Sequence, residues 1–200
     1  MTPPRRWTSW PLLTLPLGLV AVLVQLSPSL GETLQYDRAA VAAGQLYRWV
    51  TCHWTHWSWD HLLWDTTTFV VLGAICEHRS RTRLAVCILG SALMIPLGVR
   101  IILPGMQTYR GLSGIDSGLF VLLAVMLLGE KLSDRGWIWA GGIFLVLVAF
   151  CGKVLYELTT GSTIFVDSVA TGMVPVPLAH VVGGAVGCAT AVLPGRHGRR

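Results

Sequence analysis

Apolar residues along this chain gather into six stretches parted by short polar joints. They run from about Trp10 to Leu30, His61 to Cys76, Leu84 to Leu103, Ser113 to Leu128, Trp137 to Leu155 and Pro175 to Leu193. About 20 helical residues cross a hydrocarbon layer ~30 Å thick. The pattern therefore predicts an all-α polytopic membrane protein, a bundle of six transmembrane helices. The second and fourth stretches are short for that thickness, so their outer ends are expected below the surface, shielded by neighbours. Trp7, Trp10, Trp54, Trp57, Trp59, Trp137 and Trp139 fall at span ends, where interfacial aromatics belong.

Composition agrees with the pattern. The 200 residues are 53% hydrophobic and 12% charged, with mean hydropathy +0.61. A soluble domain carries about 25% charged residues, and half of that cannot cover a globule with a polar surface. Disorder, collagen and a disulfide-dense module are excluded by the apolar content, the aperiodic glycines and five sparse cysteines. Six spans leave room for a single membrane domain over 1–200, with a core of about 45–193 and short tails at 1–9 and 194–200. With the amino terminus cytoplasmic, ten Lys/Arg lie inside and five outside, so both termini are expected in the cytoplasm. The net charge of +5 is then a topology signal and implies no nucleic-acid partner. Arg5-Arg6 ahead of an apolar run also fits a secretory signal peptide. The run is long and no A-x-A-like site follows it, so the first span is expected to be retained.

Ionisable residues inside membrane spans are costly and are functional candidates by default. His61, Asp65, Asp116 and His180 lie within spans, and Ser113 opens one. Spans two, four and six run in the same direction, which places His61, Ser113 and His180 at one depth in the outer third of the bilayer. Gly114-x-x-x-Gly118 follows Ser113, and Gly183-x-x-x-Gly187 follows His180. Small-xxx-small stripes let helix backbones approach closely in lipid, so spans four and six are expected to pack with Ser113 facing His180. A serine hydroxyl becomes a nucleophile when a base within hydrogen-bond reach takes its proton.

These residues resemble the rhomboid family of intramembrane serine proteases. Tyr109-Arg110-Gly111-Leu112-Ser113-Gly114 contains G-x-S-G, and Ala179-His180-Val181-Val182-Gly183, running on to Gly187, matches A-H-x-x-G-x-x-x-G. Tyr47 to Thr51, then His56 to Asp65, follow the first-loop and second-span pattern H-x4-H-L-x2-N. Y-R-G-L-S-G-I, the minimal six-span size and Gly152-Lys153-Val154-Leu155-Tyr156-Glu157 resemble the rhombosortase branch. The resemblance implies a Ser-His dyad with Ser113 as nucleophile and His180 as general base. It implies an oxyanion hole from His61 and the Ser113 backbone N–H, with Asp65 as a further candidate, and Gly111, Gly114, Gly183 and Gly187 as supporting motif glycines. His56 and Arg48 match positions that shape the first loop. Substrates would be membrane-anchored proteins in a bacterial inner membrane, including C-terminal sorting helices of exported proteins. No metal, nucleotide or other cofactor is implied.

Two positions depart from the family pattern. Asp65 stands where relatives carry an asparagine beside the oxyanion, so it must be protonated, turned away or paired with a histidine. Ser117 replaces a ring that packs on the base, which leaves Asp116 or Asp65 to orient His180. A catalytically inactive, helix-binding rhomboid-like protein is the alternative, although such proteins usually lack the serine or the histidine and this chain keeps both. His53-x-x-His56-x4-His61 beside Cys52 offers metal-ligand types, but the run reads better as an interfacial loop. Cys52 and Cys151 both face the outer side, where a disulfide is chemically permitted.

Overall fold

The computed structural model describes residues 10–163 and 175–193. Helix is the dominant element. In chain order it contains α1 (Thr14–Gln25), α2 (Pro28–Leu34), α3 (Arg38–Ala42), α4 (Arg48–Thr51), α5 (Trp59–Arg79), α6 (Arg81–Ile102), α7 (Ser113–Ser133), α8 (Trp137–Thr160) and α9 (Pro177–Ala191). Two short strands, β1 (Tyr36–Asp37) and β2 (Thr108–Tyr109), pair antiparallel with Tyr36 opposite Tyr109.

The first expected span is corrected. It is not one helix from Trp10 to Leu30 but α1 and α2, bent 116° apart. Pro28, at the start of α2, lacks an N–H and confines the preceding Ser27 to extended backbone. The other five apolar stretches each contain one helix, with shifted ends. The α5 helix reaches Arg79 and α8 reaches Thr160, because helix continues through polar residues that an apolar window discards. By length and hydropathy, α6 and α8 each suffice to cross a membrane, and the bent α1–α2 pair makes a third candidate. The fifteen-residue α9 falls below that length.

Local chemistry sets the helix ends. Ser58 Oγ accepts the His61 N–H at 3.1 Å to start α5, and Ser80 Oγ accepts the Arg83 N–H at 3.2 Å to start α6. Pro177 opens α9 from the position where a missing N–H costs least. Arg38 spends its guanidinium on the far end of α6, reaching the Val99, Arg100, Leu103 and Met106 carbonyls at 2.8–3.2 Å. The last carbonyls of a helix run short of intrahelical donors, and Arg38 adds donors here beside the Leu103 and Met106 N–H groups, which reach the Val99 and Leu103 carbonyls.

Helix α7 is the centre of the bundle. Ile115, Leu119 and Leu122 are fully buried there, against Leu84, Ile95 and Val99 of α6 and Phe69 of α5. Helix α8 stands at the edge and exposes Ile138, Trp139, Phe144 and Leu145. Helix α1 packs on α5, where Gly73 faces Thr14 and Gly18 faces Val70.

Candidate active site

The approach to Ser113 is a fixed ramp. Strand β2 is tied to β1, and the Gly111 N–H donates to the Cys52 carbonyl at 3.2 Å. The Arg110 guanidinium lies 4.5 Å from the Trp57 ring and donates to Gln35 Oε1 at 2.8 Å and the His56 carbonyl at 3.3 Å. Gly111 then turns with φ +120°, and a Cβ there would lie 3.0 Å from the His61 ring. Only glycine suits both the backbone and the space. From this turn α7 begins at Ser113.

The two glycine stripes meet as expected. A Cβ on Gly183 would run into the Gly114 carbonyl, and one on Gly187 into the Gly118 carbonyl. A Cβ on Gly114 would stand 3.1 Å from both the Cβ and the carbonyl oxygen of Ala179. Gly114 follows Ser113 and Ala179 precedes His180, so the residues flanking the serine and the histidine are in contact. Both side chains line one cavity of about 1100 Å³, together with His61, Asp65, Asp116 and Ser117. Among the described residues the Ser113 hydroxyl and His180 share that cavity without a direct hydrogen bond.

His180 is held from α8. Its Nδ1 lies 2.7 Å from Glu157 Oε2, and Lys153 Nζ lies 2.9 Å from Glu157 Oε1 and 3.3 Å from the same Nδ1. A protonated Nδ1 donates to the nearer, anionic oxygen and has no lone pair left for the ammonium. The lysine contact is therefore a close approach beside a Lys–Glu ion pair. Fixing the proton on Nδ1 leaves the Nε2 lone pair as the ring's base. Glu157 is buried, with only 1% of its surface exposed.

This corrects the expectation that Asp116 or Asp65 orients His180. Lys153, one of the five charges placed on the outer side by the Lys/Arg count, lines the cavity. The signal was present: Lys153 and Glu157 are one turn apart in an apolar run, and charges there point to function. Ending the fifth span at Leu155 put Glu157 outside it.

Asp65 pairs with histidines, one of the three options open to it. Its Oδ2 accepts the Leu112 N–H at 2.9 Å and the Ser113 N–H at 3.1 Å. The same oxygen lies 3.1 Å from His61 Nε2 and 3.3 Å from His56 Nε2. One carboxylate oxygen thus gathers the Ser113 N–H and His61, the two donors expected to face an oxyanion. His56 reaches this cluster and does more than shape the loop; burial lowers its pKa, an effect Asp65 partly offsets. Arg48 does shape the loop, donating to the Glu32 and Gln35 carbonyls and to Gln45 Oε1.

His53 points elsewhere. Its ring nitrogens lie 3.2 Å from the Ala92 carbonyl and 3.4 Å from the Gly111 carbonyl, bridging α6 to the Gly111 turn. Burial lowers its pKa from 6.5 to about 4, so it is neutral at pH 7. Cys52 is buried and Cys151 exposed, and both are free thiols. Cys76 and Cys87 are buried in the core, and Cys188 is exposed. Residues 164–174, between α8 and α9, lie outside the described residues.

A family model described as the Rhomboid domain matches residues 43–197, a range that contains the ramp, Ser113, Glu157 and His180. No curated protein matches the chain. With that match over most of its length, the chain belongs to the rhomboid family of membrane proteins.

Proposed function

We propose that this protein is an intramembrane serine endopeptidase that cuts membrane-anchored protein substrates with Ser113 and His180. The observation that carries the reading is the contact of Gly114 with Ala179 at a shared cavity, because it brings the chain at the alcohol against the chain at the imidazole. Hydrogen bonds in substrate-free active sites are often long and tighten when substrate binds. His180 Nε2 takes the proton of Ser113 Oγ as that oxygen attacks the substrate carbonyl. The electron pair moves to the carbonyl oxygen, which the Ser113 N–H and His61 stabilise. The same proton returns to the leaving amine, and water then hydrolyses the acyl-enzyme. Glu157 positions the ring throughout.

The finer reading follows the sequence. The protein has six spans, counting α1–α2 as one, with both termini in the cytoplasm of a bacterial inner membrane. It belongs to the rhombosortase-like branch and cuts C-terminal sorting helices of exported proteins. Ser113→Ala and His180→Ala are each expected to abolish cleavage of co-expressed tail-anchored substrates while leaving membrane insertion intact. Full cleavage by Ser113→Ala refutes the nucleophile.

One observation favours the second reading, an inactive helix-binding rhomboid. Asp65 Oδ2 already occupies the donors an oxyanion needs. Labelling by a fluorophosphonate probe, lost on Ser113→Ala, separates the two, since a binder without a reactive serine is not labelled.

A further inference from the structure

On the face of α7 that carries Ser113, Asp116 also lines the cavity one turn deeper. It is only 6% exposed, yet its Oδ1 has no hydrogen-bond partner among the described residues. Several polar groups of the same cavity are committed elsewhere. Ser117 Oγ donates to the Ser113 carbonyl at 2.9 Å, Lys153 pairs with Glu157, and Asp65 takes the Leu112 and Ser113 N–H groups. A buried carboxyl oxygen without a donor is costly. That cost is offset when a ligand brings the donor.

Helical rise sets where on a substrate that donor would lie. Three residues of α-helix advance about 4.5 Å, and an extended peptide advances about 3.3 Å per residue. With the scissile carbonyl at Ser113, Asp116 falls opposite the first or second residue on the deeper side of the cut. The same cavity is also lined by Leu72, Phe120, Val146 and Phe150, and among apolar side chains a lone polar group is selective.

We infer that Asp116 forms a substrate subsite that recognises a side chain carrying a hydrogen-bond donor (hydroxyl, amide or ammonium) one or two residues to the membrane side of the scissile bond. The inference rests on the serine-protease reading and names what that site prefers. A carboxylate at the same substrate position meets a second carboxyl and is rejected.

The test uses a single-span helical reporter reconstituted with the full-length protein in lipid vesicles. Its two positions on the membrane side of the cut carry Ser, Asn, Lys, Ala, Val or Asp in turn. At one of them the donor-bearing reporters are expected to show kcat/KM about tenfold or more above Ala and Val, with Asp lowest. Asp116→Leu is expected to level that ranking, and Asp116→Asn, nearly isosteric, to relieve the rejection of Asp. Equal cutting of all reporters by the native protein overturns the subsite, as does an unchanged ranking in Asp116→Leu. Should the leucine variant fail to fold, the native ranking and Asp116→Asn still decide. If no reporter is cut, or Ser113→Ala cuts as well as native, the protease reading itself fails and this inference with it.

Discussion

Two carboxylates bear on the proposed reaction at Ser113, and in opposite ways. Glu157 bonds the far nitrogen of His180, so it holds the ring and its tautomer in the state a base needs. In serine proteases, loss of the equivalent carboxylate costs roughly 10⁴ in turnover because the tautomer is wrong. Glu157→Gln is therefore expected to lower kcat by about 100-fold or more with KM little changed, and Glu157→Asp to fall between. Equal loss in kcat and in thermal stability would mark Glu157 as merely structural. Asp65, by contrast, accepts the Ser113 N–H that the proposed reaction would use. Hydrogen bonds to a charged group contribute about 1 kcal/mol more than neutral ones, and 1 kcal/mol is roughly fivefold in rate. Asp65→Asn is thus expected to retain or raise kcat/KM, by up to about fivefold. Complete loss would show that the carboxylate is needed to hold His56 and His61.

At the level of elements, what could be read in advance was whatever has a period or a motif. The meeting of α7 and α9 was visible because glycines four apart make a smooth stripe in any apolar helix, and in the fold those stripes touch backbone to backbone. That Ser113 and His180 come level along the bundle is legible from alternating helix direction, and the contact of Gly114 with Ala179 agrees with it. What stayed hidden depends on contacts between distant segments. Nothing local in Trp10 to Leu30 says that Pro28 turns the chain by 116°, since Pro at a first helical position starts a helix as readily as it ends one. Glu157 and Glu77 lie just past the apolar windows that ended at Leu155 and Cys76. Each is charged and was excluded for that reason, yet each is buried by a partner from another helix. The β1–β2 pair is two residues per strand, too short to leave any alternation. Its role is to hold the ramp into Ser113 against the first loop.

For the whole molecule, the question is whether α1 belongs to the bundle or is only threaded beside it. Its first backbone donors are met from another helix. The Leu13 N–H reaches the Glu77 carboxylate at 3.1 Å, and the Thr14 N–H and Oγ1 donate to Glu77 Oε2 at 3.0 and 2.9 Å. Arg81 Nε stands 3.2 Å from Glu77 Oε1, on the carboxylate's other side. Further along, the Leu17 carbonyl accepts the Trp54 indole N–H at 3.0 Å, joining α1 to the first loop. A carboxylate at a helix amino terminus also meets the positive end of the helix dipole, so Glu77 works as a cap supplied from α5. With a protease site placed between Leu26 and Ser27 and the purified protein cut there, α1 is expected to stay bound, co-eluting on size exclusion and appearing by mass spectrometry. Glu77→Leu strands two N–H groups and a hydroxyl at about 1–3 kcal/mol each, and after the same cut α1 is expected to dissociate. Release of α1 from the cut native protein, or its retention in Glu77→Leu, would show that the cap does not join this helix to the rest.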